Sequence, residues 1–242
     1  MKLYLRKPVT ASLLLGGVFM AGHAQAELTG NAGFTTNYLW RGVTQTNDDP
    51  AVQGGLDYSH DSGIYLGGWA SNVDFADPQV SDGALPAITS RTEYELDLYG
   101  GYAGGVGDFG YDLGFIYYAY PLSDDANFGE LALGGSWKWL SAGIAYTVTS
   151  EVEGESAFKE DDIYYYAAAD IPLAKGLSLG LNVGRYEFDE VDTDYTHYGI
   201  KLNKAGFSFG FEQNDLDGDF PAGKDADDPR IVISYTHDFD LL

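Results

Sequence analysis

Three carboxylates at alternate positions, Glu93, Glu95 and Asp97, are the feature of this 242-residue sequence with the clearest chemical meaning. Tyr94 and Leu96 lie between them. Successive side chains of a β-strand point to opposite faces, so this spacing predicts a column of acidic groups on one face and an apolar surface on the other. Like charges so close together repel unless cations offset them. The column therefore predicts a surface that attracts cations.

Charged residues recur at the polar positions of other alternating segments. The set that we expect to face a common interior is Arg41, Asp57, Arg91, Glu93, Glu95, Asp97, Asp112, Glu130, Lys201 and Glu212. Acidic groups outnumber basic ones in this set, which predicts that any path they line prefers cations to anions. In the alternative interpretation, these charges pair across the interior and only fill and stabilise it.

A second acidic cluster contains Asp215, Asp217 and Asp219, with further aspartates from Asp225 to Asp228. It has the density of oxygen ligands found in calcium loops. The complete twelve-residue spacing and the closing Glu of an EF-hand are missing. We therefore expect a solvated acidic loop. The alternative is a Ca²⁺ or Mg²⁺ site at Asp215, Asp217 and Asp219; we expect no other cofactor.

Nucleophilic catalysis needs a hydroxyl or thiol beside a base that a third group orients. The sequence has no cysteine, and three histidines follow residue 26. His60 lies in a predicted turn and His237 in the outward phase of the last strand. His197 is inward without a Ser or Thr nearby on its own face, which leaves a cross-strand serine such as Ser208. We predict that the protein is not an enzyme.

The elements that must position these residues have a period of two. From Leu28 to Arg41, mostly apolar even positions alternate with mostly polar odd positions. Twelve such segments begin near Leu28, Ala51, Ile64, Arg91, Phe109, Phe128, Leu140, Ile163, Leu177, Tyr195, Phe207 and Arg230. An even number of ~10-residue alternating segments separated by turns is typical of a transmembrane β-barrel.

The connections between these segments give an independent indication. Long connections at 42–50, 72–90, 121–127, 149–162, 187–194 and 215–229 alternate with short ones at 60–63, 103–108, 138–139, 172–176 and 203–206. Outer-membrane barrels have short periplasmic turns at one end and longer extracellular loops at the other. A soluble β-sandwich has no reason to divide its loops this way. The sequence thus predicts a single all-β domain over 27–242, an antiparallel transmembrane barrel of about twelve strands.

Aromatic residues gather near both ends of the segments, which predicts two interfacial girdles. The girdle beside the long loops would contain Tyr38, Trp40, Tyr117, Tyr118, Tyr120, Tyr164, Tyr165, Tyr166 and Tyr195. The girdle at the other end would contain Phe109, Tyr111, Trp137, Trp139, Phe207 and Phe239.

The first 26 residues have the layout of a secretory signal peptide. Basic Lys2, Arg6 and Lys7 precede a short apolar stretch, and Ala24-Gln25-Ala26 predicts cleavage after Ala26. The apolar stretch is shorter than the ~20 residues that a membrane-spanning helix needs. The formal net charge of −24 argues against nucleic acid as a partner, because phosphate contacts need Lys and Arg.

Several segments resemble a bacterial family of TorF-type porins, also known as Gcw-type conserved hypothetical outer-membrane proteins. The resemblance begins with Thr-Asn-Tyr-Leu-Trp-Arg-Gly-Val-Thr-Gln-Thr at 36–46 and continues through 49–58, 68–75 and 93–102. It implies an outer-membrane location and a pore. It brings no catalytic motif and no established substrate.

Twelve strands lie between eight, whose side chains can fill the interior, and sixteen, which leave an aqueous channel. We expect a porin-like channel in the bacterial outer membrane for passive diffusion of small cationic or neutral solutes. The alternative is a non-conducting structural or adhesive barrel with acidic loops that bind divalent cations. The expected partners are outer-membrane lipid and small solutes, and the sequence leaves the oligomeric state open.

Overall fold

A computed structural model of the chain describes residues 26–76, 91–121, 123, 126–154, 156–216, 219–220 and 224–242. The predicted signal peptide lies outside the described residues, except for Ala26. Within the described part, no helix has the length and apolarity to cross a membrane.

Twelve antiparallel strands close into one barrel, as the alternating pattern predicts. They are β1 (Glu27–Thr35), β4 (Ala51–Ser59), β5 (Ile64–Ala76), β6 (Arg91–Val106), β7 (Phe109–Ala119), β8 (Phe128–Trp137), β9 (Leu140–Ser150), β10 (Ile163–Pro172), β11 (Ser178–Glu187), β12 (Tyr195–Lys204), β13 (Phe207–Asn214) and β16 (Arg230–Asp240). β1 pairs with both β4 and β16, which closes the sheet. Closure satisfies the edge hydrogen bonds that an open sheet would expose to lipid.

Two pairs of short strands lie within the connections. β2 (Leu39–Trp40) pairs with β3 (Val43–Thr44), and β14 (Asp219–Phe220) pairs with β15 (Lys224–Asp225). A 3₁₀ turn, Ala174–Gly176, joins β10 to β11. The predicted alternation of long and short connections is confirmed, and we call the two ends of the barrel the loop end and the turn end.

The outer surface of the barrel is apolar. Leu113 and Leu133 are each 55% exposed and face each other on neighbouring strands, whereas the adjacent Gly134 faces inward. The predicted girdle at the turn end is confirmed, since Phe109, Tyr111, Trp137, Trp139, Phe207 and Phe239 are all exposed. On a soluble protein, so many exposed apolar side chains around the barrel would favour aggregation. This surface is therefore the face for lipid.

The predicted girdle at the loop end is wrong for most of its members. Tyr165 faces outward and is 40% exposed, and Tyr117 lies opposite the outward Leu98. The others lie inside the barrel: Tyr38, Trp40, Tyr118, Tyr120, Tyr164, Tyr166 and Tyr195. Neighbouring tyrosines alternate between the two faces of a strand, so runs such as 164–166 cannot belong to one girdle.

Candidate functional site: an inner hairpin over an acidic lumen

The first long connection folds into the barrel instead of extending β1. β1 ends at Thr35, whose hydroxyl donates a hydrogen bond to the carbonyl oxygen of Asn37 at 2.7 Å. Such a bond from a side chain to the nearby backbone competes with continued strand pairing. The prediction of one strand from Leu28 to Arg41 is therefore wrong after Thr35. We call residues 36–50 the inner hairpin.

The tip of the inner hairpin is Arg41-Gly42, between the paired strands β2 and β3. Both residues have positive φ, 48° and 81°, as the central residues of a type I′ turn do. Such turns favour glycine or asparagine, and arginine in this conformation is strained. Arg41 is thus a residue of an inserted turn and not of the barrel wall.

The Arg41 side chain is bound to the barrel wall by Glu130. Nη1 and Nη2 of Arg41 donate to Oε1 and Oε2 of Glu130 at 2.8 and 2.6 Å, and both side chains are 1% exposed. The hydroxyls of Tyr118 and Tyr186 donate to the same carboxylate at 3.3 and 3.2 Å. The guanidinium carbon lies 4.1 Å from the centre of the Tyr164 ring, within cation–π range. Two-point pairing of this kind fixes both the position and the orientation of the guanidinium.

Trp40 is the apolar anchor of the inner hairpin. It is 5% exposed, and its ring packs against those of Tyr118, Phe128, Phe158 and Tyr186 at centroid distances of 5.6, 6.1, 5.6 and 5.9 Å. Three of these partners belong to barrel strands, and Phe158 belongs to the loop at 151–162. The tryptophan therefore couples the hairpin to the wall and to a second loop.

Further hydrogen bonds attach the inner hairpin around the circumference of the barrel. They join the Tyr38 hydroxyl to Glu95 at 2.8 Å, Asn214 Nδ2 to the Gly42 carbonyl at 2.8 Å, Arg230 Nε to Asp48 at 2.7 Å, and the Asp74 amide to the Gln45 carbonyl at 2.7 Å. These partners belong to β5, β6, β13 and β16. The inner hairpin consequently crosses the loop-end half of the lumen.

The loop that carries Phe158 is organised by Asp162. Its carboxylate accepts the backbone N–H of Lys159 at 2.9 Å and that of Asp189, in the next loop, at 2.8 Å. Burial raises the pKa of Asp162, and these two N–H groups oppose the rise. The aspartate holds two loops together above the Trp40 cluster.

The structure brings two of the three carboxylates of the predicted column together under the inner hairpin. Glu95 and Asp97 are inward and buried, whereas Glu93 is exposed. The register between β5 and β6 shifts between Asn72 and Phe75, which interrupts the alternation near Glu93. The side chain of Arg91 lies outside the described residues. The carboxylate column is thus a buried pair when the hairpin is docked.

The turn-end half of the lumen is lined by half-exposed polar residues, which we call the vestibule: Asp57, Tyr65, Tyr99, Asp112 and Asp170. The hydroxyl of Tyr99 donates to Asp57 at 2.5 Å, and that of Tyr65 donates to Asp112 at 3.2 Å. A Cβ at Gly67 would lie 2.3 Å from the Tyr99 ring, so this ring lies along the wall where glycine leaves room. Asp57, Asp112 and Asp170 are each partly exposed, although Oδ2 of Asp112 is buried and has no hydrogen-bond partner among the described residues.

Glu212, Lys201 and His197 form a polar network beside the Arg41 site. Glu212 lies 3.1 Å from Lys201 Nζ and 3.9 Å from His197 Nδ1. His197 Nε2 in turn lies 2.7 Å from the hydroxyl of Tyr164. Ser208 pairs with Asn203, six residues along β12 from His197, which separates them by roughly 20 Å. His197 and Ser208 therefore cannot act together.

Of the three predicted metal ligands, only the side chain of Asp215 lies within the described part of the structure. Asp215 is exposed, and its carboxylate accepts the Thr196 N–H at 2.5 Å. Asp217 and the side chain of Asp219 lie outside the described residues. Among the described residues, no group of three or more acidic or histidine side chains could hold a metal ion. Divalent-cation binding by this loop stays a prediction.

Gly42→Ala is expected to displace the inner hairpin. An added Cβ would lie 2.4 Å from His197 Cβ, and φ is +81°. Gly154→Ala is the matched control, because φ there is +75° and nothing lies within 4 Å of the added atom. Trypsin cleavage after the buried Arg41, followed by mass spectrometry, measures displacement. We expect cleavage in the Gly42 variant only; equal protection in both would show that the contact with His197 is not close.

Comparison with solved structures identifies outer-membrane barrels as similar folds. A KdgM porin has a TM-score of 0.53 at 12% identity, over 87% of this chain and 99% of that chain. A KdgM porin in complex with disordered oligogalacturonate has a TM-score of 0.51 at 10% identity, over 88% and 99%. At these identities the likeness shows the fold alone. No curated protein matches the sequence.

The match to a family model is extensive. The model of a family described as "Bacterial protein of unknown function (Gcw_chp)" matches residues 20–239. This range contains all the barrel strands up to Phe239 and the complete inner hairpin. The chain belongs to the Gcw_chp family of bacterial proteins.

Proposed function

We propose that the protein is a porin-like channel of the bacterial outer membrane for passive diffusion of small cationic or neutral solutes. The closed barrel, its lipid-facing belt and its similarity in fold to porins support the channel. The TorF-type porin assignment belongs to the same proposal. The observation that carries the solute preference is the set of half-exposed carboxylates in the vestibule.

Asp57 and Asp112 accept hydrogen bonds from tyrosine hydroxyls, and no ion pair of either is found among the described residues. Lys201 pairs with Glu212 instead. The walls of a barrel have a low dielectric constant and focus the field of such charges on the solution between them. The vestibule should therefore concentrate cations and repel anions.

The acidic residues of the vestibule also affect which solutes the channel should admit. One KdgM porin structure is of a complex with oligogalacturonate, a polymer of uronic acids. Such a polyanion would meet Asp57, Asp112 and Asp170 in this lumen. We therefore propose that the present chain, although its barrel is similar in fold to that porin, does not admit oligogalacturonate.

The test of this proposal is the reversal potential across a salt gradient in a planar bilayer. We expect cation preference, and we expect Asp57→Asn, Asp112→Asn and Asp170→Asn together to move it toward neutrality because the three charges are removed at nearly constant volume. The effect should be larger at 0.1 M than at 1 M salt, where the Debye length falls from ~10 to ~3 Å.

The matched control for this triple variant removes charge outside the lumen. Asp61 and Asp108 lie at the turn end and are exposed. Asp61→Asn with Asp108→Asn should leave selectivity nearly unchanged. Anion preference of the unmodified channel, or indifference to the triple change, would contradict the proposal.

The second candidate function is a structural or adhesive barrel that does not conduct. The inner hairpin favours it, because the buried Arg41 and Trp40 fill the loop-end half of the lumen. Divalent cations at Asp215, Asp217 and Asp219 would belong to this function. Absence of conductance under all conditions, including removal of the inner hairpin, would select it.

A further inference from the structure

The docked inner hairpin poses a problem for a diffusion channel. Tyr38, Trp40 and Arg41 are each at most 5% exposed, and their partners on the wall are buried with them. Solutes that enter the vestibule from the turn end would meet this layer. If the protein conducts, the inner hairpin must move.

The docked arrangement has features that favour reversible attachment. Among the described residues, Arg41 Nε and Asp97 Oδ1 are buried with no hydrogen-bond partner, although each would have one in water. Arg41 also has a positive φ, a conformation that release of the turn would relax. These costs of docking are opposed chiefly by the Trp40 contacts and by the pairing of Arg41 with Glu130.

The site that receives Arg41 is built on the wall and not on the hairpin. Glu130 belongs to β8, and Tyr118, Tyr164 and Tyr186 belong to β7, β10 and β11. The carboxylate offers both oxygens to the guanidinium, and two tyrosine hydroxyls orient it. The Tyr164 ring covers the cation at 4.1 Å. Strands of a closed barrel are rigid, so these groups should persist after the hairpin leaves.

Withdrawal of the hairpin would change the charge of the lumen. Glu95, Asp97 and Glu130 lie beneath it, and Arg41 is the cation that the hairpin places among them. Once it leaves, the three carboxylates would line the loop-end half and continue the acidic lining of the vestibule. Opening and cation preference would then arise from the same movement.

We propose that the inner hairpin is a displaceable gate and that Glu130 with Tyr164 and Tyr186 is a guanidinium-binding site, which Arg41 fills in the closed state. The gate rests on the proposed channel function; the binding site does not. A solute that carries a guanidinium group is the ligand whose charge and planar shape fit the site when Arg41 is absent.

The first experiment measures hydrogen exchange of residues 36–50 in the folded barrel. Arg41→Ala should accelerate exchange at least ~100-fold, since breaking a buried ion pair leaves an uncompensated charge. Arg185→Ala is the matched control, because Arg185 is 44% exposed and its ion pairs lie at the surface. Different migration of heated and unheated samples on a denaturing gel confirms that each variant forms the barrel.

The second experiment adds methylguanidinium to the Arg41→Ala variant and measures binding by calorimetry. We expect methylguanidinium at millimolar concentration to bind the Arg41→Ala variant. It should bind neither the unmodified protein nor the double variant in which Arg41→Ala is combined with Glu130→Gln. Equal binding to all three would overturn the site. In the first experiment, hydrogen exchange of residues 36–50 that is no faster in Arg41→Ala or in Glu130→Gln than in the unmodified protein would contradict the proposal that the hairpin is a gate.

Conductance measurements distinguish failure of the gate or of the binding site from failure of the proposed channel function. In a planar bilayer, Arg41→Ala should be open more often than the unmodified protein, and methylguanidinium should reduce its current. If exchange and binding behave as expected but no variant conducts, the guanidinium site stands and the channel function fails. If the unmodified protein is continuously open and Arg41→Ala does not change its current, the gate fails and the channel stands.

Discussion

Trp40→Ala is expected to release the inner hairpin. The docked state should be destabilised by ~3–5 kcal/mol, the usual cost of truncating a buried tryptophan. The indole contacts rings from three barrel strands and from Phe158, so its loss leaves a cavity at the centre of the cluster. Accelerated hydrogen exchange at 36–50 and new tryptic cleavage after Arg41 would measure the release. The loop at 151–162 should loosen with it.

Trp137→Ala is the control for this variant. Trp137 is 53% exposed in the girdle at the turn end, far from the inner hairpin. Its truncation should leave exchange at 36–50 unchanged. If Trp40→Ala also leaves exchange unchanged, the aromatic cluster is not what anchors the hairpin, and the polar contacts of Arg41 and Tyr38 must suffice.

Leu133→Arg is expected to destabilise the barrel by ~2–4 kcal/mol, because Leu133 faces lipid near the middle of β8 and an arginine there must lie in hydrocarbon. Leu133 is 55% exposed and adjoins Leu113 and Ile144 on the neighbouring strands. Reversible unfolding in urea with lipid vesicles measures the free energy difference.

Gly134→Arg is the matched control at the same depth. Gly134 faces the lumen, and an added Cβ would lie 3.0 Å from the Tyr166 hydroxyl, the end of a side chain that can shift. The arginine would extend into water beside the carboxylates of the vestibule. We expect a smaller loss of stability than at Leu133. Equal losses at the two positions would show that the assignment of the two faces is incorrect.

Most of the fold could be predicted from the sequence because both faces of each strand leave a pattern. Lipid on one side and water or polar groups on the other impose a period of two, and ten of the twelve predicted starts are those of the observed strands. The other two, at Leu28 and Leu177, differ by one residue. The alternation of short turns and long loops independently indicates which end of the barrel each strand runs toward.

The inner hairpin could not be predicted by the same reasoning. Residues 36–41 continue the alternation of β1, so periodicity alone extends the strand past Thr35. Two signals point to the hairpin: a segment of fourteen residues is longer than ~10-residue neighbours, and Arg41-Gly42 lies between two short β-forming pairs. Neither signal reveals that the hairpin turns inward, because that depends on Glu130 and Tyr186 more than 80 residues away.

Only the charged members of the candidate site follow from the sequence. The polar phase of the strands places Arg41, Glu95, Asp97 and Glu130 in the interior, and the structure brings them together. The same reasoning wrongly places Tyr38, Trp40, Tyr118 and Tyr164 in the girdle at the loop end, and it does not single out Tyr186. That Arg41 neutralises Glu130, while Glu95 and Asp97 lie beneath Tyr38, depends on tertiary contacts across the lumen. Sequence spacing is informative along one strand and carries no information about the opposite wall.

Single-channel recording in a planar bilayer shows whether the barrel conducts and whether the inner hairpin limits its conductance. The two proteins to compare are the unmodified barrel and a variant in which residues 38–46 are replaced by a flexible Gly-Ser linker. We expect discrete, cation-selective conductance steps in the linker variant, and smaller or rarer steps in the unmodified protein. Absence of steps in both proteins, or anion selectivity of the linker variant, would contradict the claim that this barrel is a cation-favouring channel.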